Sequence, residues 1–165
     1  MTPKQIALQW KAGFTDRWHS HAELGPYPDP IVGHSGRVAL LMLGFWDDTT
    51  REALIAALRH DLAEYKVGDV SGKAKREYHD FKKALDEVEA QVFIEMFGLK
   101  PSPLPMPWSQ RLNMCDKLDP LLFAQLHRPD LMMREDWIAS RAKVLDMAGE
   151  MGIHHEVSEV IRYAA

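Results

Sequence analysis

The sequence predicts an all-α fold in a single domain covering residues 1–165. Apolar residues recur at intervals of three and four through most of the chain, which is the spacing of one helix face. No segment sustains the two-residue alternation of a half-buried strand. The densest run of helix breakers, Pro101, Pro103, Pro105 and Pro107, falls between periodic stretches rather than inside one.

Each element follows from local chemistry. A short helix is expected over 6–11 and a second over 35–46. Thr49 and Thr50 read as caps, with Glu52 in the first turn, for a helix reaching about residue 65. In it Leu54, Ala57, Leu58, Asp61 and Leu62 share one face. A long helix is expected over 75–97, with the stripe Phe81, Leu85, Val88, Val92 and Phe93, closed by Gly98. The proline run 100–107 must be extended. A helix over 108–125 follows, open to interruption at Pro120, and helices over 134–150 and 156–163 complete the chain. Residues 17–33 and the VGDVSG stretch 67–72 resist a helical reading. Long irregular loops in a compact domain are usually functional or disordered. The His, Trp, Tyr and Arg content of 17–33 argues for function.

Composition narrows the class. The chain is 46% hydrophobic and 27% charged, with a net charge of -4. A protein that grips a nucleic-acid backbone is usually basic, so no nucleic-acid partner is expected. The longest apolar run, residues 38–46, is too short to span a bilayer, so no membrane partner is expected either. The lone cysteine, Cys115, excludes an internal disulfide and a cysteine zinc cluster, and it reads as a small buried residue. Residues 1–11 lack the apolar core of a secretory signal, which makes a cytoplasmic protein the expectation.

The chemistry concentrates in RHDLAEYKVGD. His60 and Asp61 are adjacent metal-ligand types near the end of an apolar helix, and Glu64 follows on the same helix face. Asp69 stands just beyond. His34 opens the helix over 35–46, and Asp116 is a carboxylate in an apolar helix, where it costs free energy unless paired or metal-bound. His34, His60, Asp61 and Asp116 make a set of two nitrogens and two oxygens. That set suits cobalt, manganese, zinc or nickel, with magnesium a further candidate.

The order H…HD…D, together with Arg17-Trp18 upstream and the block HDLAEYKVGDVSGKAK, resembles the HD-domain phosphohydrolases. The resemblance covers about residues 15–122. It is closest to the small branch of bacterial 5′-deoxynucleotidases and phage deoxynucleoside triphosphohydrolases. It implies a helical HD bundle in which His34, His60, Asp61 and Asp116 hold the metal. It further implies that Glu64 and Asp69 are catalytic acids, and that Arg17 and Trp18 hold phosphate and nucleoside. Gly33 departs from the family, where an acidic residue often precedes the first histidine. Val70-Ser71-Gly72 departs where many members carry prolines.

The residue types support that chemistry independently. A metal polarises a phosphoryl oxygen and lowers the pKa of water. A guanidinium such as that of Arg17 offers phosphate a planar two-pronged donor. Glu64 or Asp69 can orient water and manage its proton. Lys73, Lys75 and Lys82, in the basic run 66–83, can meet the extra charge of a triphosphate, although such a run is also the usual solvated helix face. Arg17 and Trp18 can equally be a surface arginine and a core tryptophan. The expected substrate is a deoxynucleoside triphosphate of the dATP type, giving deoxynucleoside plus triphosphate. The alternatives are a 5′-deoxynucleotidase acting on monophosphates and a nucleotide-binding regulatory module without turnover. A homo-oligomer, dimer or higher, is expected, with Leu131-Met132-Met133 and Met147 with Met151 reading as core or subunit interface. If the protein is phage-encoded, its compartment is the host cytoplasm.

Overall fold

The structure is a computed structural model that describes residues 1–164 and, within them, every side chain except that of Lys73. Its elements are α1 (Pro3–Ala12), α2 (Ile31–Phe45), α3 (Arg51–Arg59), a 3₁₀ turn (Leu62–Lys66), α4 (Gly72–Glu77), α5 (His79–Phe97), α6 (Met106–His127), a second 3₁₀ turn (Pro129–Met133), α7 (Glu135–Glu150) and α8 (His154–Tyr163). Among the described residues there is no strand, only an isolated bridge between Asp16 and Pro30. The all-α expectation holds.

The boundaries differ from expectation where a local interaction was illegible. Helix α2 begins at Ile31 rather than at 35, because the Pro30 carbonyl accepts from the N–H groups of Gly33 and His34. Proline pre-sets the backbone for a helix start. Helix α3 stops at Arg59 instead of running to about 65, and the chain tightens into the 3₁₀ turn. Thr50 caps α3 as expected, accepting from the Ala53 N–H, whereas Thr49 instead donates to the Met42 and Trp46 carbonyls. The helix expected over 75–97 is two. Tyr78 leaves helical dihedrals at φ -121 and ψ 84, ending α4 and opening α5. The GKAKRE segment of α4 has no apolar stripe to bury, and Phe81 and Val88 are exposed, so burial begins only at Leu85. Gly98 closes α5 at φ 70, a left-handed backbone that suits glycine. Helix α6 passes through Pro120 without interruption.

Residues 1–35 with 58–103 form one compact unit, and residues 36–57 with 104–165 form a second. In the first unit Ala12, Ile31, Leu62, Val92, Met96 and Phe97 make the core, with Leu8 and Phe93 packed against it. The side-chain amides of Gln5 and Gln9 donate to the Glu95 and Met96 carbonyls, tying α1 to the end of α5. The second unit buries Val38, Met42, Met114, Leu118, Val144 and Ile161. There Gln125 donates to the Ile161 carbonyl over 2.7 Å. An apolar groove of about 670 Å³ between Leu40, Phe45, Leu122, Phe123, Leu126 and Val160 lies in the same unit, with the Arg37–Asp119 ion pair at its edge. Leu131 is buried while Met133 is exposed. No helix among the described residues is long and apolar enough to cross a membrane.

Candidate functional site

The first unit gathers polar groups around the Leu62–Lys66 turn. His34 sits in the first turn of α2 with its ring fully buried. His60 and Asp61 lie where α3 gives way to the turn, so they present from a tightened corner rather than from a continuous helix face. His34 Nε2 and His60 Nε2 are 3.2 Å apart, and each is 3.3 Å from Asp61 Oδ2. Each of the three offers a ligand atom within 4.8 Å of the others. Two imidazole nitrogens and a carboxylate oxygen at such distances are all potential lone-pair donors. They need a proton or a cation among them, and this donor mix suits a borderline divalent ion.

Glu64 stands beside them in the turn, 6% exposed. Its Oε1 accepts from Lys75 Nζ at 3.3 Å, while its Oε2 is buried with no hydrogen-bond partner among the described residues. Burial, reinforced by the charges of Asp61 and Asp69 and opposed by Lys75, raises its carboxyl to about 8. A carboxyl held there is poised to exchange a proton near neutrality. Asp69 follows a tight corner at Gly68, whose φ of 76 is left-handed. A Cβ on Gly68 would stand 3.1 Å from His19 Cε1, so glycine serves both the turn and the close approach. Burial raises the Asp69 carboxyl, against the lowering charges of Arg17, Lys75 and His19.

The irregular segment between α1 and α2 places Arg17 and Trp18 on one carboxylate. Asp29 Oδ2 accepts from Arg17 Nη1 and from Trp18 Nε1, each at 3.2 Å. Arg17 is 8% and Asp29 1% exposed, so Arg17 is not a surface arginine.

The basic run divides. Lys75 on α4 reaches inward, its Nζ 3.3 Å from Glu64 Oε1 and 3.9 Å from Glu89 Oε1. Burial would lower its pKa, but Glu64 and Glu89 raise it on balance. Lys82 lies on α5, half exposed, and bonds to Asp86 one turn away on the same helix. The two lysines therefore do not share a helix, contrary to the expectation of one continuous element over 75–97. Lys73 lies outside the described side chains. Asp116 stands on α6 in the second unit, beside the buried Cys115, with Lys117 Nζ 3.8 Å from its Oδ2. Burial and the Asp116 charge push the Cys115 thiol up to about 12, so Cys115 is no nucleophile.

Two participants escaped the sequence reading. Glu89 is a carboxylate on the buried face of α5, one turn from Leu85 and from Val92, and a charge within an apolar stripe was the available signal. Asp29 lay hidden among prolines in a loop whose path could not be read.

No protein-family model matches the chain. Over 107 residues, 61% of this chain, it is 32% identical to a dATP triphosphohydrolase of Cyanophage S-2L. That stretch spans 59% of the relative's own length. The fold is similar to that of the Cyanophage S-2L HD phosphohydrolase DatZ, whose structure holds dA and one catalytic Zn²⁺ ion. The TM-score is 0.69 at 21% identity, covering 99% of this chain and 95% of that one. A Pyrococcus horikoshii protein is also similar, with a TM-score of 0.64 at 22% identity over 99% of this chain and 98% of its own. The chain has the all-helical fold of the HD phosphohydrolases.

Proposed function

We propose that the chain, acting as one HD-type domain, is a metal-dependent phosphohydrolase of deoxynucleotides. Its substrate in this reading is a dATP-like deoxynucleoside triphosphate, released as deoxynucleoside and triphosphate. The observation that carries it is the convergence of His34, His60 and Asp61 beside Glu64, whose Oε2 is buried without a partner among the described residues. The name of the dATP triphosphohydrolase relative and the dA and Zn²⁺ in the DatZ structure point the same way.

In this reading His34, His60 and Asp61 hold a divalent cation, with Asp116 as the fourth protein ligand. Zinc, cobalt, manganese, nickel and magnesium are the candidates. When bound, the ion supplies Lewis acidity to the α-phosphoryl oxygen and acidity to water. Arg17 takes a non-bridging phosphate oxygen, and Trp18 lies against the nucleoside. Glu64 accepts the proton of the attacking water at its carboxylate, and Asp69 orients that water. Water adds to the α-phosphorus, the bond from phosphorus to the 5′ oxygen breaks, and the 5′ oxygen leaves as the deoxynucleoside hydroxyl with the proton that Glu64 took from the water. Lys75 borders the site and is the described cation best placed for the phosphate tail. The protein works in the cytoplasm, as a homo-oligomer.

A second reading, hydrolysis of deoxynucleoside monophosphates, draws support from the engagement of Lys75 by two carboxylates and of Lys82 by Asp86. Incubating dATP and dAMP separately with each candidate metal and resolving products by chromatography distinguishes the two. Deoxyadenosine plus triphosphate from dATP supports the first reading. Deoxyadenosine from dAMP alone selects the second, and no product from either overturns both. Asp61→Ala is expected to abolish both metal binding, measured by elemental analysis, and hydrolysis, because it removes the charged ligand. Glu64→Ala is expected to keep the metal and lose on the order of 10²–10⁴ in rate.

A further inference from the structure

We propose that Asp29 is the positioning residue of the substrate loop, one buried carboxylate fixing both Arg17 and Trp18 in the orientation that receives the nucleotide. The inference rests on the proposed roles of Arg17 and Trp18. The segment from Gly13 to Pro30 has no helix or sheet and is held by turn hydrogen bonds of the backbone, which leave the orientation of its side chains to buried partners. Asp29 is such a partner, and its carboxylate and backbone both take part. Its Oδ2 accepts from Arg17 Nη1 and Trp18 Nε1, its carbonyl accepts from the Arg17 N–H, and its own N–H donates to Asp16 Oδ1. The loop is thereby closed across its mouth, where Asp16 and Pro30 form the isolated bridge.

The choice of acceptor matters. A guanidinium carries five N–H groups in a fixed plane, so a carboxylate on Nη1 sets the plane without exhausting the donors. An indole has one N–H, and bonding it fixes the rotation of the whole ring. Because both bonds end on the same oxygen, the Arg17 guanidinium is held 5.1 Å from the centre of the Trp18 ring. Phosphate ligand and nucleoside contact are thus set at a fixed separation by one atom. A carboxylate serving only to neutralise Arg17 would have no need of the indole.

The test is a double-mutant cycle of Arg17→Lys and Asp29→Asn, with dATP and Zn²⁺ as probes and with bound zinc measured in each variant. Arg17→Lys keeps the charge and loses the fork. Asp29→Asn is expected to raise KM roughly 10- to 100-fold, as misplaced binding groups do. Zinc content and kcat are expected to stay near the parent values. The double variant is expected to lose less than the product of the two single losses, because Asp29 acts partly through Arg17 and partly through Trp18. Multiplicative losses in the double variant would overturn the proposal while leaving Arg17 a phosphate ligand. No effect of Arg17→Lys would overturn the reading of Arg17 itself. Asp29→Glu guards against a folding defect in Asp29→Asn. It restores the buried charge but moves the carboxylate by one methylene. It is expected to melt near the parent temperature and keep the raised KM, and a fully restored KM would mean that Asp29 merely balances charge.

Discussion

The loop 17–33 and the basic run 66–83 both supply cations near the candidate site, and the structure treats them differently. Arg17 is buried and tied to Asp29, and the loop around it is closed by further bonds. The run carries more positive charge, yet it is split at Tyr78, and among its described side chains Lys75 turns inward. Lys82 stays half exposed and pairs with a residue of its own helix. Charge density in sequence therefore says little about which cation is fixed. A buried acidic partner decides it, because an exposed ion pair is worth little and a desolvated one must be satisfied.

That contrast can be broken or sharpened in order of expected effect. Arg17→Lys is expected to cost about 10²-fold in kcat/KM for dATP, since a repositioned binding group loses that much. Steady-state kinetics at fixed ionic strength checks it, and a loss below threefold would erase the distinction between the two regions. Lys75→Met is expected to cost about 10-fold, the worth of one partly buried charged hydrogen bond. The loss should be larger for dATP than for dAMP, and equal losses would mean that Lys75 serves Glu64 rather than the phosphate tail.

Glu64→Gln probes the same pairing through stability. The folded Glu64 carboxyl lies at about 8, above its ordinary 4.5, so the folded state binds the extra proton between those values. Its contribution is complete below about 4.5 and is lost as pH rises through about 8. The melting temperature of the metal-free protein should fall over that window. At pH 8.5 metal-free Glu64→Gln should melt a few degrees above the parent. Calorimetry at several pH values checks the sign, and a melting temperature that rises with pH in the parent would contradict it. Lys82→Met is expected to change kcat/KM less than twofold, as exposed pairs usually do.

What could be read from sequence divides along the same line. Helical periodicity placed the elements because burial of an apolar stripe acts within one helix. The adjacency of His60 and Asp61 and the nearness of Glu64 are local, so the sequence showed them, although it put them on a helix face where the chain forms a 3₁₀ turn. The pairing of Lys75 with Glu89 and the grip of Asp29 on Arg17 depend on how α4 meets α5 and how a proline-rich loop folds back. Both join residues more than ten positions apart, which no period encodes. The break at Tyr78 was missed because the expected stripe over 75–97 counted Phe81 and Val88 as core, and both face water.

Cys115 gives the molecule an experimental convenience. It is the chain's sole cysteine, fully buried, with a thiol pushed up to about 12. At pH 7.5 its thiolate fraction is on the order of 10⁻⁴ or below, so alkylating reagents should pass it by. The native protein is in effect a cysteine-free background for labelling. A single cysteine introduced at the exposed Ala22 in the substrate loop would carry a fluorophore or spin label without first removing the native thiol. Such a label would report directly whether the loop moves when nucleotide is added.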